Sequence, residues 1–195
     1  MQINKIEKGN LSDGALVSLV PYNSKDEMPE SVFNALHELM NVIIEEGTTY
    51  SFEDPLNTKE FEDYYCKYFI GVAVLGDVTD PKVVKGEDVM GSFYIKPNYA
   101  GRSSHICNGG FLVMTSARGR GVGKIMAQQY VKWAPKLGYK SSVFNLVYAS
   151  NIASRKLWDR LGFTVIGRVP QCARLKGMDE LDDALIYGKT FDQSD

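Results

Sequence analysis

"TSARGRGVGKIM", residues 115–126, crowds three glycines (Gly119, Gly121, Gly123) and three basic residues (Arg118, Arg120, Lys124) into seven positions and then takes on helical spacing. Glycines at alternate positions in a helix entry cost stability unless something uses them. Here they let successive main-chain N–H groups, Val122 included, approach one bulky anion with no side chain between. The helix dipole adds positive potential at the same spot. The loop is not a nucleotide-binding P-loop, which needs GxxxxGK[ST]: the residue five before Gly123 is Arg118, and Lys124 is followed by Ile125, so no hydroxyl is placed for magnesium. It is not a dinucleotide fingerprint either, because the GxGxxG spacing is absent and no early βαβ unit carries it. What remains suits a diphosphate held mostly by backbone.

Working outward, "ICNGGFLVM" (106–114) is a strand interrupted by Gly-Gly, the mark of a bulge or a close backbone approach. Downstream, residues 123–138 carry helical spacing at 125, 126, 130, 133 and 137, followed by a strand "SSVFNLVY" (141–148) and a short helix over 151–162. Strands at 163–169 and 183–191 close the chain. Upstream, "ALVSLVPY" (15–22) reads as a strand. A helix over 28–47 has Pro29 near its start, an apolar stripe at 32, 33, 36, 39, 40, 43 and 44, and Gly47 at its end. A weaker helix over 57–68 begins with an Asn57 or Thr58 cap. "YFIGVAVLG" (68–76) and "VMGSFYIKP" (89–97) form an antiparallel hairpin with a long connection. The order is α+β with strand–loop–helix units in its second half, and no repeat or internal boundary interrupts it, so one domain over 1–195 is expected.

The chain has 195 residues and is 44% hydrophobic and 24% charged, enough to bury a core unaided. Its formal net charge of -2 gives no field that favours nucleic acid or an anionic membrane. Neither an apolar leader in "MQINKIEKGN" nor a run approaching 18 apolar residues is present, so neither secretion nor membrane spanning is expected. Cys66, Cys107 and Cys172 lack CxxC spacing and read as reduced thiols of an intracellular protein, with cytosol the default compartment and a mitochondrial pool left open. With only His37 and His105 to help, no metal site is expected.

Arg118 to Gly123 matches the R/Q-x-x-G-x-G/A signature of the GCN5-related N-acetyltransferases (GNAT). "NIASRKLWDRLGF" (151–163) resembles that superfamily's next motif, N-x-x-[AS]-x-x-[LF]-Y-x-x-x-GF, with the expected helix and strand between the two. The resemblance implies a mixed, mostly antiparallel sheet of about six to seven strands, its fourth and fifth strands splayed, flanked by about four helices. It also implies that the anion is the diphosphate of acetyl-CoA. The loop from Arg118 to Lys124 would hold the diphosphate. Phe111, Leu112, Val113 and Thr115 would line the pantetheine arm with backbone, and Asn151 and Ser154 would complete the cofactor site. One amide near Phe111 to Val113 would then face the thioester oxygen.

Acetyl transfer to an amine needs a deprotonated amine, a stabilised oxyanion and a protonated or departing thiolate. Many members place a glutamate or a water relay on the strand before the loop and a tyrosine in the second motif. Here the strand carries Asn108, and Trp158, no practical acid, holds the tyrosine position. Tyr148 is near in sequence but off the family position. Asn145 lies mid-strand in "SVFNLVY", expected to share a face with Val143 and Val147. Cys107, one residue from Asn108, should point the other way, into the core. Tyr64, Tyr65 and Phe69 are candidates for a lid.

"CNGGFLV", "WAPKLGYKSSVFNLVYASN" and "GRVPQCARLKG" resemble one branch, the fungal N-acetyltransferases of proline analogues such as azetidine-2-carboxylate. That resemblance places Asn108 and Asn145 in the substrate pocket, implies a small-molecule amine as acceptor, and suggests a homodimer. Two other functions stay open from sequence: a transferase of the same fold acting on protein lysine or N-terminal amines, and a catalytically silent acyl-CoA sensor.

Overall fold

The structure, a computed structural model, describes residues 1–191. The strands are β1 (Glu7–Asn10), β2 (Leu16–Tyr22), β3 (Phe69–Leu75), β4 (Val89–Pro97), β5 (Ile106–Asn108), β6 (Phe111–Val113), β7 (Ser141–Tyr148), β8 (Thr164–Ala173) and β9 (Asp182–Thr190). The helices are α1 (Glu30–Glu46), α2 (Thr58–Phe61), α3 (Val122–Lys136) and α4 (Ile152–Arg160). The strands form a single sheet in the order β1-β2-β3-β4-β5-β7-β9-β8, with β6 attached to β4 alone. All pairs are antiparallel except β5 with β7.

β2 and β3 read as continuous apolar runs because both faces of the sheet are covered. Val17, Leu19 and Ala73 pack with α3 residues Met126, Tyr130 and Trp133 on one face. Val20, Tyr22, Val72 and Val74 pack with the α1 stripe, Val32 to Ile44, on the other. α1 stops where the sequence predicts: Gly47 adopts φ 67°, and its N–H caps Ile44 O. Helix α2 is shorter than the expected 57–68 segment. Asn57 and Glu60 close a reciprocal capping box, and after Phe61 the chain loosens into a π turn, Glu62–Cys66.

The sheet has nine strands where about six to seven were expected. One addition is β1, whose short alternating run EKGN carries little apolar signal. The other arises because the expected strand 106–114 breaks at Gly109-Gly110. A Cβ on Gly109 would fall 2.5 Å from Tyr130 Cε2, and one on Gly110 2.6 Å from both Tyr50 Oη and Tyr94 Cε1. Only glycine lets the chain pass between these rings.

The break also opens the sheet. β5 pairs with β7 at Ile106↔Ser141 and Cys107↔Ser142 and no further. Beyond that point β6 stays with β4, while β7 stays with β9. The root of this splay is pinned from the α3 side. Tyr130 Oη lies 3.2 Å from Cys107 Sγ and 2.7 Å from Ser142 Oγ, all three buried. Cys107 is therefore a core residue, as its alternation with Asn108 requires.

Candidate active site

The two ends of the splay carry different chemistry. At one end β6 runs into the glycine loop. Tyr94 N–H donates to Gly110 O at 3.2 Å, and Met114 N–H to Met90 O at 2.9 Å. Those bonds fix the alternation along the strand: Gly110, Leu112 and Met114 turn their main-chain groups to β4, so Phe111 and Val113 turn theirs into the gap. Leu112 is fully buried and offers no main-chain group to the gap. Thr115, itself exposed, starts a single turn, Thr115–Ala117, that ends on buried Ala117, and the loop follows.

Gly119 and Gly121 both lie in the left-handed region, at φ 77° and 91°. Gly121 is the N-cap of α3, and no side chain caps that end. Its carbonyl accepts the Ile125 N–H, so the amides of Val122, Gly123 and Lys124 precede the first intrahelical bond. Val122 pins the helix start by burying its side chain. A Cβ at Gly119 would meet nothing within 4 Å. An uncapped helix start with glycines and open space before it fits a diphosphate, and these residues would hold one by backbone.

The basic rim differs from expectation. Arg118 forms a two-pronged ion pair with Glu46 at the end of α1, both bonds 2.9 Å. Arg120 Nε donates to Asp13 Oδ2 at 2.8 Å, and its carbonyl accepts from Ser12 N and Oγ. The Asp13 carboxyl is held below the usual range, first by the Ala15 N–H and then by Arg120. Of the three rim cations, Lys124 alone makes no ion pair among the described residues. Asn151 caps α4, accepting from Ser154 N–H at 3.1 Å. Its carbonyl oxygen is thereby committed to the helix, while its amide and the Ser154 hydroxyl make no hydrogen bond among the described residues.

At the other end stand the asparagines. Asn108 and Asn145 do not touch; a residue that sequence reasoning missed, Asn98, joins them. Asn98 Oδ1 accepts from Asn108 Nδ2 at 3.0 Å and from Asn145 Nδ2 at 2.6 Å, and Asn98 Nδ2 donates to Asn145 Oδ1 at 3.1 Å. Asn145 is exposed, and the register shifts between Phe144 and Val147. That extra residue moves Val147 to the core face with Phe144, so Asn145 and Val147 do not share a face as the simple alternation predicts. The alternation Tyr94, Lys96, Asn98 beyond β4 was the signal that could have pointed to Asn98.

Aromatic rings floor the gap. Trp158 is buried, its ring centroid 4.3 Å from Phe144 and 5.1 Å from Phe111. It packs, and its indole has no acid to offer. Tyr148 is also buried, and burial first, then the nearby Cys172 and Tyr64, raises its phenol above the ordinary value. The expected lid dissolves into core: Tyr65 Oη is 2.7 Å from Ser92 Oγ, and Phe69 packs edge-on against Trp133. Tyr64 alone remains at the surface of the site, edge-on to Phe52 and Tyr94. Tyr50 turns toward Gly110 a solvent-excluded hydroxyl with no partner of good hydrogen-bond geometry among the described residues. His105 is exposed and donates nothing to this cluster.

A splayed sheet with an uncapped, glycine-bounded helix start at one end and a carboxamide cluster at the other fits an acyltransferase of one class. Residues 35–163 match the acetyltransferase (GNAT) family, and the chain belongs to it. It is an acetyl-CoA-dependent acetyltransferase. N-acetyltransferase aca1 of Schizosaccharomyces pombe is 42% identical over 170 residues, spanning 83% of this chain and 81% of that protein. A GCN5-related N-acetyltransferase from Kribbella flavida superposes with a TM-score of 0.74 at 26% identity, covering 88% of this chain and 97% of the other. The fold is also that of yncA from Salmonella typhimurium, solved with its cofactor acetyl-CoA: TM-score 0.69, 16% identity, 90% and 95% coverage. Among the described residues no cluster of His, Cys, Asp and Glu is arranged for a metal, and no helix is long and apolar enough to cross a membrane.

Proposed function

We propose that this enzyme acetylates the amine of a small amino or imino acid, such as azetidine-2-carboxylate or another proline analogue, by direct attack in a ternary complex. Acetyl-CoA supplies the activated acyl group. The Arg118–Lys124 amides grip its diphosphate, the Phe111 and Val113 main chain holds its arm, and the amide nearest the thioester steadies the developing oxyanion.

The carboxamide cluster supports this reading more than any other feature. Asn98 occupies one amide proton on each neighbour, and the Asn108 carbonyl, which accepts no hydrogen bond among the described residues, can accept from an amine N–H. An amide has no useful pKa, so it orients the acceptor without taking its proton. The amine therefore enters neutral or loses its proton to water. Similarity over most of the chain to aca1, an N-acetyltransferase, supports transfer to an amine.

The test is thiol release from acetyl-CoA across small amino and imino acids, with wild type and Asn108→Ala. Turnover of azetidine-2-carboxylate, lost in Asn108→Ala while acetyl-CoA still binds, is the expected result. Wild-type turnover by Asn108→Ala, or release only with peptide amines, refutes the assignment. Proline and its four-ring analogue differ by one methylene, so a packed pocket should separate them by about 10–200-fold at most.

A further inference from the structure

The acceptor face holds one more charged group, which the acetyl-transfer chemistry does not use. Lys96 lies near the end of β4, and its register partner across β5 is Asn108. Directly opposed residues share a face with their Cβ atoms about 4.5–5.5 Å apart. The Lys96 ammonium stands 4.1 Å from the centroid of the Tyr64 ring and 4.5 Å from that of Tyr94. It donates to the Tyr64 main-chain oxygen at 3.3 Å. No carboxylate among the described residues reaches it within ion-pair distance.

A half-buried lysine without an anion is unusual, because desolvating the charge costs free energy that a partner normally offsets. Burial already pulls the Lys96 pKa below its ordinary value. Among the described residues one hydrogen-bond acceptor, the Tyr64 carbonyl, meets the three ammonium protons; the two ring faces attract the charge without accepting a conventional hydrogen bond, so protons remain for an anion. An acceptor that bears a carboxylate would supply the missing anion. An α-amino or imino acid carries its amine and its carboxylate on one carbon, so the groups that recognise them must be neighbours. Asn108, with a free carbonyl for an N–H, and Lys96, with free protons for an anion, are opposed on adjacent strands.

We propose that Lys96 is the receptor for the acceptor's carboxylate and so sets a preference for substrates that bear amine and carboxylate on the same carbon. This rests on the small-acceptor reading above and adds to it the group that reads the acid. Lys96 pairs with the carboxylate at the wall formed by Tyr64 and Tyr94, while the carboxamides orient the amine toward the gap.

The experiment compares azetidine-2-carboxylate with its carboxamide, by thiol release and by calorimetric titration of enzyme saturated with CoA, in wild type, Lys96→Met and Lys96→Arg. Wild type should prefer the acid by about tenfold or more in kcat/KM, the worth of one charge-assisted hydrogen bond. In Lys96→Met the acid should lose that advantage through KM, with the carboxamide and the acetyl-CoA affinity nearly unmoved; Lys96→Arg should keep the preference. A wild type indifferent to acid and carboxamide overturns the proposal, and that comparison needs no variant to fold. A Lys96→Met enzyme that still selects the acid also overturns it. Should the acid bind in a Lys96-dependent way without any thiol release, the carboxylate site stands and the catalytic reading falls. Should neither compound bind, the carboxylate site falls.

Discussion

Asn98 and Asn145 exchange two side-chain hydrogen bonds at the mouth of the splay, 3.1 and 2.6 Å long. Each carboxamide fixes the orientation of the other, and Asn98 then fixes Asn108 at 3.0 Å. Asn98→Ala should therefore lower kcat/KM although Asn98 lies outside both sequence motifs. Losing one oriented hydrogen bond costs about 1–3 kcal/mol, roughly 5- to 150-fold. Because the three amides act as one unit, the Asn98→Ala/Asn145→Ala double variant should fall well short of the product of the single losses. Steady-state kinetics on the four enzymes checks this; strict additivity would mean the amides work independently.

The glycines of the cradle divide into two kinds, and substitutions should show it. Gly121 sits at φ 91°, where an L side chain is strained by about 1–2 kcal/mol. Gly123 is helical, and a Cβ there would make only an ordinary 3.9 Å contact with Val113. Gly123→Ala should keep acetyl-CoA affinity and gain up to about 1 kcal/mol of stability from the better helix former. Gly121→Ala should lose stability, and Glu at either position should abolish cofactor binding by calorimetry. Intact affinity in Gly123→Glu would remove the diphosphate from this loop.

The cradle's positive rim is partly neutralised, since Arg118 is tied to Glu46 and Arg120 to Asp13. Exposed pairs of this kind contribute only about 0–1 kcal/mol to folding. Glu46→Gln should leave the melting temperature almost unchanged while freeing Arg118 for the anion. Acetyl-CoA should bind about two- to fivefold tighter at low salt, and the gain should vanish near 1 M salt, where charges are screened beyond about 3 Å. Tighter binding that survives high salt would argue for a conformational cause instead.

The cradle, the strand before it and the helix after it were legible because each obeys a local rule: glycine where φ is positive, apolar spacing where a helix buries a stripe. α1 and α3 fall within a residue or two of expectation for that reason. The break at Gly109-Gly110 was visible as a bulge, but its cause, the rings of Tyr94, Tyr130 and Tyr50 closing from both faces, is tertiary. The bulge at Asn145 was not legible, because "SVFNLVY" alternates normally and only the partner strand shows the extra residue. Asn98 and Lys96 escaped for a related reason. Neither lies in a motif: Lys96 takes its meaning from pairing in register with Asn108, and Asn98 from side-chain hydrogen bonds to Asn108 and Asn145. The neutralisation of Arg118 and Arg120 depends on residues 72 and 107 positions away, beyond any window of sequence.

The Tyr50 hydroxyl is closed off from solvent and has no partner of good hydrogen-bond geometry among the described residues, although the Phe111 N–H acts on it weakly. Burial keeps its phenol well above the ordinary value, against a smaller opposing pull from the Phe111 amide. An unsatisfied buried hydroxyl destabilises by up to about 1–3 kcal/mol. Tyr50→Phe removes the burden while keeping the ring, so the melting temperature should hold or rise. A clear fall would show that the hydroxyl has a partner in the folded chain.

The three cysteines should separate cleanly by reactivity. The attacking species is the thiolate, so a thiol whose pKa is raised by burial is inert near neutral pH. Burial pushes Cys66 up to about 12 and Cys107 to about 11, and both side chains are closed to solvent. Cys172 is only half-buried. Native enzyme titrated with Ellman's reagent at pH 8 should therefore release close to one equivalent of colour, rising to three in denaturant, and Cys172→Ser should give almost none before unfolding. Rapid native labelling of Cys107 would contradict its place beneath Tyr130 and Ser142, and with it the pinning of the splay from the α3 side.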